Sequence, residues 1–265
     1  QMGAKIDSLN NPGSPPLNIS PANIECKKNI KIKGNISSQY LTALLIAGPL
    51  CNQNIKIQII GTLISKPYIN ITLKLLNQFG IKYKNNDWKN FTLNTPSRFT
   101  SPKKIQVEGD ASSASYFFAA GAIAGSVEVF NINKLSIQGD LEFLKIIKKM
   151  GANVEYLSNS IKVSKKQSLV ATTIDCKNIP DAAMTLAILA LFAKGTTTLK
   201  SIASWRVKET DRILAMKTEL KKLGAHVLTT KSSITIKPPI VIKDNISIDT
   251  YDDHRMAMCF SLVCL

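Results

Sequence analysis

LLNQFGIKY at 75–83, IIKKMGANV at 146–154 and LKKLGAHV at 220–227 decide the fold. Each is an amphipathic run that ends at a Gly and passes into a β-branched stretch, a helix followed by a strand. Gly80, Gly151 and Gly224 mark the helix ends, 71 and 73 residues apart. The segments upstream agree: GNISSQYLTALLIAG opens at Gly34, GDASSASYFFAAGAIAG at Gly109 and PDAAMTLAILALFAKG at Pro180. Asn35, Asp110 and Asp181 then share one position, which by residue type is a helix N-cap, and DDHRMAMCFSLVCL puts Asp253 there a fourth time, 72 residues after Asp181. The chain is therefore read as a repeat: polar turn, Ala-rich helix, strand, second helix ending in Gly, strand.

The Ala-rich helices are apolar almost all round, which suits burial, whereas the second helices are one-sided. After Arg212, Ile213, Met216, Leu220 and Leu223 fall on one stripe, and the expectation is that Lys217, Glu219, Lys221 and Lys222 face outward. NIKIQII, SVEVFNI, TTLKSI and SSITIKP are strand candidates, so the class is mixed α/β. Gly3 matches the tail of a preceding unit and Asp253 begins another. A boundary inside a repeat would leave apolar faces uncovered, so the expectation is a fragment of a longer protein.

With 45% hydrophobic residues and a net charge of +16, disorder is excluded. The longest apolar stretch, 182–193, falls short of the roughly 20 residues of a membrane span. QMGAKID lacks the basic-then-apolar pattern of a signal peptide, so a cytoplasmic location is expected. Cys26, Cys51, Cys176, Cys259 and Cys264 contain no C-x-x-C pair and read as free thiols, and His226 and His254 lie in unrelated contexts, so neither a disulfide nor a metal is expected. The excess charge is Lys interspersed with Asn and Ile. That composition reads as a solvated basic surface rather than a nucleic-acid stripe.

Four places carry candidate chemistry. Ser37, Ser38 and Gln39 open a helix, where free N–H groups favour an anion, although simple capping explains one hydroxyl equally well. Asp181 reads first as a cap; rigidly held after Pro180, it is also a candidate acid or base. WRVKETDR at 205–212 is the densest charge cluster, with Lys208 and Arg212 one helical turn apart and Glu209 three before Arg212; its competing reading is a solvated salt-bridged face. Arg255, in DDHR, adds a forked donor for carboxylate or phosphate, or is an ordinary surface arginine beside a cap. Anion-binding groups at several helix starts suit a small substrate with more than one anionic group.

Taken together, GNISSQYLTALLIAGPL, TLISKPYINITLKLLNQFG, EGDASSASYFFAAGAIAG, IPDAAMTLAILALFAKGTTTL, WRVKETDRILAMKTEL and DDHRMAMCFSLV resemble the EPSP synthases, the 3-phosphoshikimate 1-carboxyvinyltransferases, from end to end. The resemblance implies an α/β fold of repeated βαβαββ units in two domains, the inside-out α/β barrel of the enolpyruvyltransferases, both domains incomplete here. Residues 1–107 would belong to the domain that binds the shikimate phosphate, and 108–265 to the domain with the acid and base groups. The family transfers the enolpyruvyl group of phosphoenolpyruvate to the 5-hydroxyl of 3-phosphoshikimate by addition and elimination.

By matching motif, Ser37, Ser38, Ser65 and Tyr68 would hold 3-phosphoshikimate, Gln39 would reach both substrates, and Arg212 and Arg255 would grip phosphoenolpyruvate. Asp181 would accept the hydroxyl proton beside Lys208, and Glu209 would serve the methylene carbon. No cofactor or metal is implied, the partners are the two small substrates without nucleic acid or membrane, and the protein is expected to be a monomer. Ser204 stands where many members carry Asn, keeping a hydroxyl with shorter reach. Related UDP-sugar enolpyruvyltransferases lack the SSQ, ISKPY and KETDR combination; a non-catalytic anion-binding scaffold and a nucleic-acid module are the other readings.

Overall fold

The computed structural model describes residues 2–22, 29–51, 53–94 and 97–265, and the chain divides into two compact units, Gln1–Ile105 and Gln106–Leu265. In the first, β1 (Lys5–Ser8) and β2 (Leu17–Ser20) form an antiparallel ribbon. Next come β3 (Ile30–Lys33), α1 (Ser38–Ala47), β4 (Ile55–Ile60), α2 (Lys66–Gln78), β5 (Tyr83–Asn86) and β6 (Asn90–Leu93). β3 runs parallel to β4 across the α1 crossover, and β4 pairs antiparallel with β6, which closes a hairpin with β5. Alternation sets the register: Ile55, Ile57 and Ile59 point into a core with Leu41, Leu45, Ile69, Leu73 and Phe91, while Lys56 faces water. Trp88 packs edge-on to Phe91 with the Lys66 ammonium 5.4 Å from its ring.

The second unit repeats the plan twice. The first repeat has α3 (Ala111–Ala124), β7 (Ser126–Phe130), α4 (Glu142–Met150), β8 (Asn153–Tyr156) and β9 (Ser160–Ser164), with sheet order β7-β9-β8. The second has β10 (Leu169–Val170), β11 (Thr173–Asp175), α5 (Ala183–Leu189), β12 (Ala193–Lys194), β13 (Thr197–Lys200), α6 (Arg212–Lys222), β14 (His226–Thr229) and β15 (Ile234–Lys237), with sheet order β11-β13-β15-β14; α7 (His254–Phe260) follows. β11 and β13 are parallel, as β3 and β4 are in the first unit. α3 and α5 are buried nearly all round, as their composition requires, and a single core runs through the unit. Gly80, Gly151 and Gly224 have φ of 77°, 114° and 94°, the left-handed turn that releases each second helix into its strand.

Three sequence expectations change. Asn35 does not cap α1; Ser37 does, its hydroxyl accepting from Gln39 N–H at 3.2 Å. Asp181 does not cap α5, whose N-cap is Ala182 with no side-chain bond, whereas Asp110 and Asp253 cap α3 and α7. Glu219 is fully buried, not outward, because distant polar groups come to meet it. Among the described residues Cys51, Cys176, Cys259 and Cys264 are free; Cys26 lies outside them. No helix of the described residues is long and apolar enough to cross a membrane.

Gly121 lets α3 lie against its sheet, since a Cβ there would stand 2.5 Å from the Val163 carbonyl oxygen and 3.1 Å from Val127 N. Gly121→Ala is expected to cost about 1–3 kcal/mol through overpacking against backbone, while Ala124→Ser on the exposed end of α3 changes stability by less than about 0.5 kcal/mol. Urea unfolding of the two variants checks the contrast.

Candidate active site

In the first unit the candidate residues follow the carboxyl ends of the parallel strands β3 and β4, where open α/β sheets place ligands. Gly34 N–H donates to the Ile60 carbonyl and Ile64 N–H donates to the Gly34 carbonyl, both at 3.0 Å, so the two helix starts are held side by side. Ser37 and the buried Ser38 stand at the start of α1, with Gln39 exposed beside them. Ser65 stands at the start of α2, buried, with a left-handed φ of 55° and no capping bond from its hydroxyl; Tyr68, half-buried, is one turn on. Two helix N-termini and three serines are groups that can donate hydrogen bonds to a small anion such as phosphate.

In the second unit the candidates again follow two parallel strands. The segment after β11 delivers Asp181, and the segment after β13 delivers 205–212. Trp205, fully buried, donates its indole N–H to the Pro180 carbonyl at 2.6 Å and so ties these segments one residue from Asp181. Arg206 turns away to the β14–β15 hairpin, donating to the Thr230 and Lys231 carbonyls and pairing with Asp211, which caps α6. Lys208 lies in extended backbone, not on a helical turn with Arg212, yet both reach Asp181. Ser204 is half-buried in the 3-10 turn 203–207.

Arg212 is the centre of the cluster, 1% exposed. Its Nε donates to Asp253 Oδ2 at 2.7 Å and Nη2 to Asp253 Oδ1 at 3.3 Å; Nη2 also meets Glu209 Oε2 at 2.6 Å, and Nη1 meets Asp181 Oδ1 at 3.2 Å. That burial removes Arg212 from the solvated-face reading of WRVKETDR, while Arg206, Glu209 and Asp211 remain partly exposed. Lys208 Nζ lies 3.7 Å from Asp181 Oδ1, and Arg255 Nη2 reaches Asp181 Oδ2 at 3.2 Å. Asp181 therefore sits among three cations with its carboxylate partly open to water, and Arg255 is no ordinary surface residue.

Two partners of this cluster were not read as such from the sequence. Asp253 appears there only as a cap; it accepts Arg255 N–H at 2.9 Å and also grips Arg212. Burial opposes its ionisation, but the Arg212 guanidinium outweighs that and holds the carboxyl below the usual range. Tyr116, on α3, takes a hydrogen bond from Arg255 Nη1 at 3.2 Å, and burial pushes its hydroxyl up to about 12 against the pull of Arg255, so it stays neutral. The doubled acid in DDHR was the available signal for Asp253; nothing local marks Tyr116. Chemically the cluster offers a positioned carboxylate, a second more exposed one in Glu209, and cations suited to a substrate anion.

The sequence profile of EPSP synthase (3-phosphoshikimate 1-carboxyvinyltransferase) matches residues 1–265. The 3-phosphoshikimate 1-carboxyvinyltransferases of Shewanella pealeana and Paraburkholderia phymatum are each 51% identical to the chain, over 264 and 273 residues, which is 99% and 100% of it but 61% and 63% of their own length. The chain thus spans less than two thirds of these relatives. Among solved structures, EPSP synthase from Acinetobacter baumannii superposes with a TM-score of 0.72 at 26% identity, covering 98% of this chain and 61% of that one. The enolpyruvyl transferase NikO from Streptomyces tendae does so with a TM-score of 0.71 at 15% identity, a likeness of fold alone. By its sequence along its whole length, by its repeated α/β units and by its neighbours in structure, the chain belongs to the EPSP synthase family.

Proposed function

We propose that the full-length protein carrying these residues transfers the enolpyruvyl group of phosphoenolpyruvate to the 5-hydroxyl of 3-phosphoshikimate, giving 5-enolpyruvylshikimate 3-phosphate and phosphate on the route to chorismate and the aromatic amino acids. The observation that carries the reading is Asp181, an aspartate at a helix start that caps nothing and instead lies within 3.7 Å of Lys208 and 3.2 Å of both Arg212 and Arg255. A carboxylate held this way is fixed in place by its cations and can receive a proton from a hydroxyl brought against its open side.

In this reading residues up to about 107 belong to the domain that binds the shikimate phosphate, through Ser37, Ser38 and Ser65 with Gln39 and Tyr68 alongside. Residues from 108 onward supply the chemistry. As the 5-hydroxyl oxygen adds to the central carbon of phosphoenolpyruvate, Asp181 takes its proton with Lys208 beside the developing charge, while Glu209 handles the proton that the methylene carbon gains. The tetrahedral adduct then expels phosphate, and the methyl group returns a proton to restore the double bond. Arg255 and Arg212 neutralise the phosphoenolpyruvate anion, orienting two substrates that would otherwise repel each other. The protein works as a cytoplasmic monomer without metal or organic cofactor, and the net charge of +16 on these 265 residues draws anionic metabolites to it.

The deciding experiment is phosphate release by a full-length protein carrying this sequence, given both substrates; absence of turnover by the folded protein overturns the reading. Asp181→Asn is expected to lower kcat by at least about 10²-fold with the fold retained by circular dichroism, and near-normal activity would remove Asp181 from the proton transfer. Arg255→Lys, which keeps charge but loses the fork, is expected to raise the KM for phosphoenolpyruvate about tenfold while leaving that for 3-phosphoshikimate nearly unchanged.

A further inference from the structure

Glu219 is fully buried on α6, two turns beyond Arg212 and therefore on the same side of the helix. The rest of that stripe is apolar: Ile213, Met216, Leu220 and Leu223 are all buried. A carboxylate buried there is a poor source of stability, since a well-packed apolar residue commonly does as well or better. Its bonds beyond its own helix go to one segment. Oε1 accepts from the Tyr251 hydroxyl at 2.7 Å, and Oε2 accepts from Asp249 N–H at 3.2 Å and meets Lys222 Nζ at 2.8 Å. Lys222 reinforces the hold, pairing with Asp249 at 2.7 Å and donating to the Ser247 carbonyl at 3.4 Å.

What this segment does next needs holding. Tyr251 and Asp252 have φ of 55° and 52°, two successive non-glycine residues in left-handed backbone, which persists only where its surroundings over-determine it. Asp253 follows at once, capping α7 and grasped by Arg212, and Arg255 lies on the first turn of that helix, reaching Asp181 and Tyr116. α6 thus clamps the chain on both sides of the strained pair, with Glu219 before it and Arg212 after it. Release of the first clamp lets the turn relax and shifts the first turn of α7, and a displacement well under a bond length is enough to spoil a bidentate anion contact.

We propose that Glu219 is a positioning residue for the anion-binding Arg255, acting through the Tyr251–Asp252 turn that it pins to α6; the inference rests on the reading of Arg255 as a phosphoenolpyruvate ligand. Neither Glu219 nor Tyr251 is among the hydrogen-bond partners of Arg212 described above. The test uses a full-length protein carrying these residues, with Glu219→Gln, which keeps an acceptor for Tyr251 but removes the charge, and Tyr251→Phe, which removes only the hydroxyl. The KM for phosphoenolpyruvate is expected to rise about tenfold in Glu219→Gln and less in Tyr251→Phe, with kcat within about twofold and the KM for 3-phosphoshikimate unchanged.

Unchanged KM for phosphoenolpyruvate in both folded variants overturns the proposal, as does a fall in kcat that merely tracks the folded fraction. If Glu219→Gln does not fold, Tyr251→Phe alone decides by the same measure. If the wild-type protein folds but does not turn over, the functional reading fails by itself and the positioning is read from the Arg255 side-chain N–H resonance. Its movement in Tyr251→Phe then supports the proposal, and its constancy overturns it.

Discussion

The guanidinium of Arg212 is a permanent positive charge almost wholly removed from water, and the second unit is arranged around keeping it satisfied. A cation in that position is tolerable only with carboxylates at hydrogen-bond distance. Asp253 supplies a two-point grip, and Asp181 and Glu209 take the remaining side. Each of these lies on a different segment, so one charge fixes the start of α6, the start of α7 and the loop before α5 relative to one another. Removal of one partner would leave charge stranded in a dry interior, so the group behaves as a unit.

The framework was legible because it depends on local rules repeated along the chain. A Gly after an amphipathic run ends a helix wherever it occurs, and three such marks at near-equal spacing give the repeat. The caps were legible at Asp110 and Asp253 for the same reason. Asp181 has the same local sequence signal and a different fate, because Lys208, Arg212 and Arg255 outcompete the helix amides for its oxygens, and those residues lie between 27 and 74 positions away. Glu219 was misread for a related reason. Periodicity assigns a charged side chain to the wet face unless something buried awaits it, and Tyr251 and Asp249 come from another part of the chain. Lys208 and Arg212 do converge, as their spacing suggests, but through extended backbone and a shared tertiary partner rather than a helical turn.

Both units use one device. A pair of parallel strands ends at the same level, two helices begin just beyond, and chemistry-bearing residues occupy the two openings. In the first unit the openings carry hydroxyls and backbone amides, which suit an anion without committing a charge. In the second they carry fixed charges of both signs, which suit proton transfer beside an anion. The same architecture therefore presents uncharged donors in one unit and fixed charges in the other, according to the few residues that follow each strand.

The two tryptophans of the chain fall one to each unit, in unlike surroundings. Trp205 is dry and bonded to a carbonyl one residue from Asp181; Trp88 is half-buried with an ammonium close to its ring. Indole emission moves to shorter wavelength in an apolar setting and responds to nearby charge, so the two residues are expected to emit at different wavelengths. Within these 265 residues each unit thus carries one intrinsic optical reporter of its own surroundings, with no label attached.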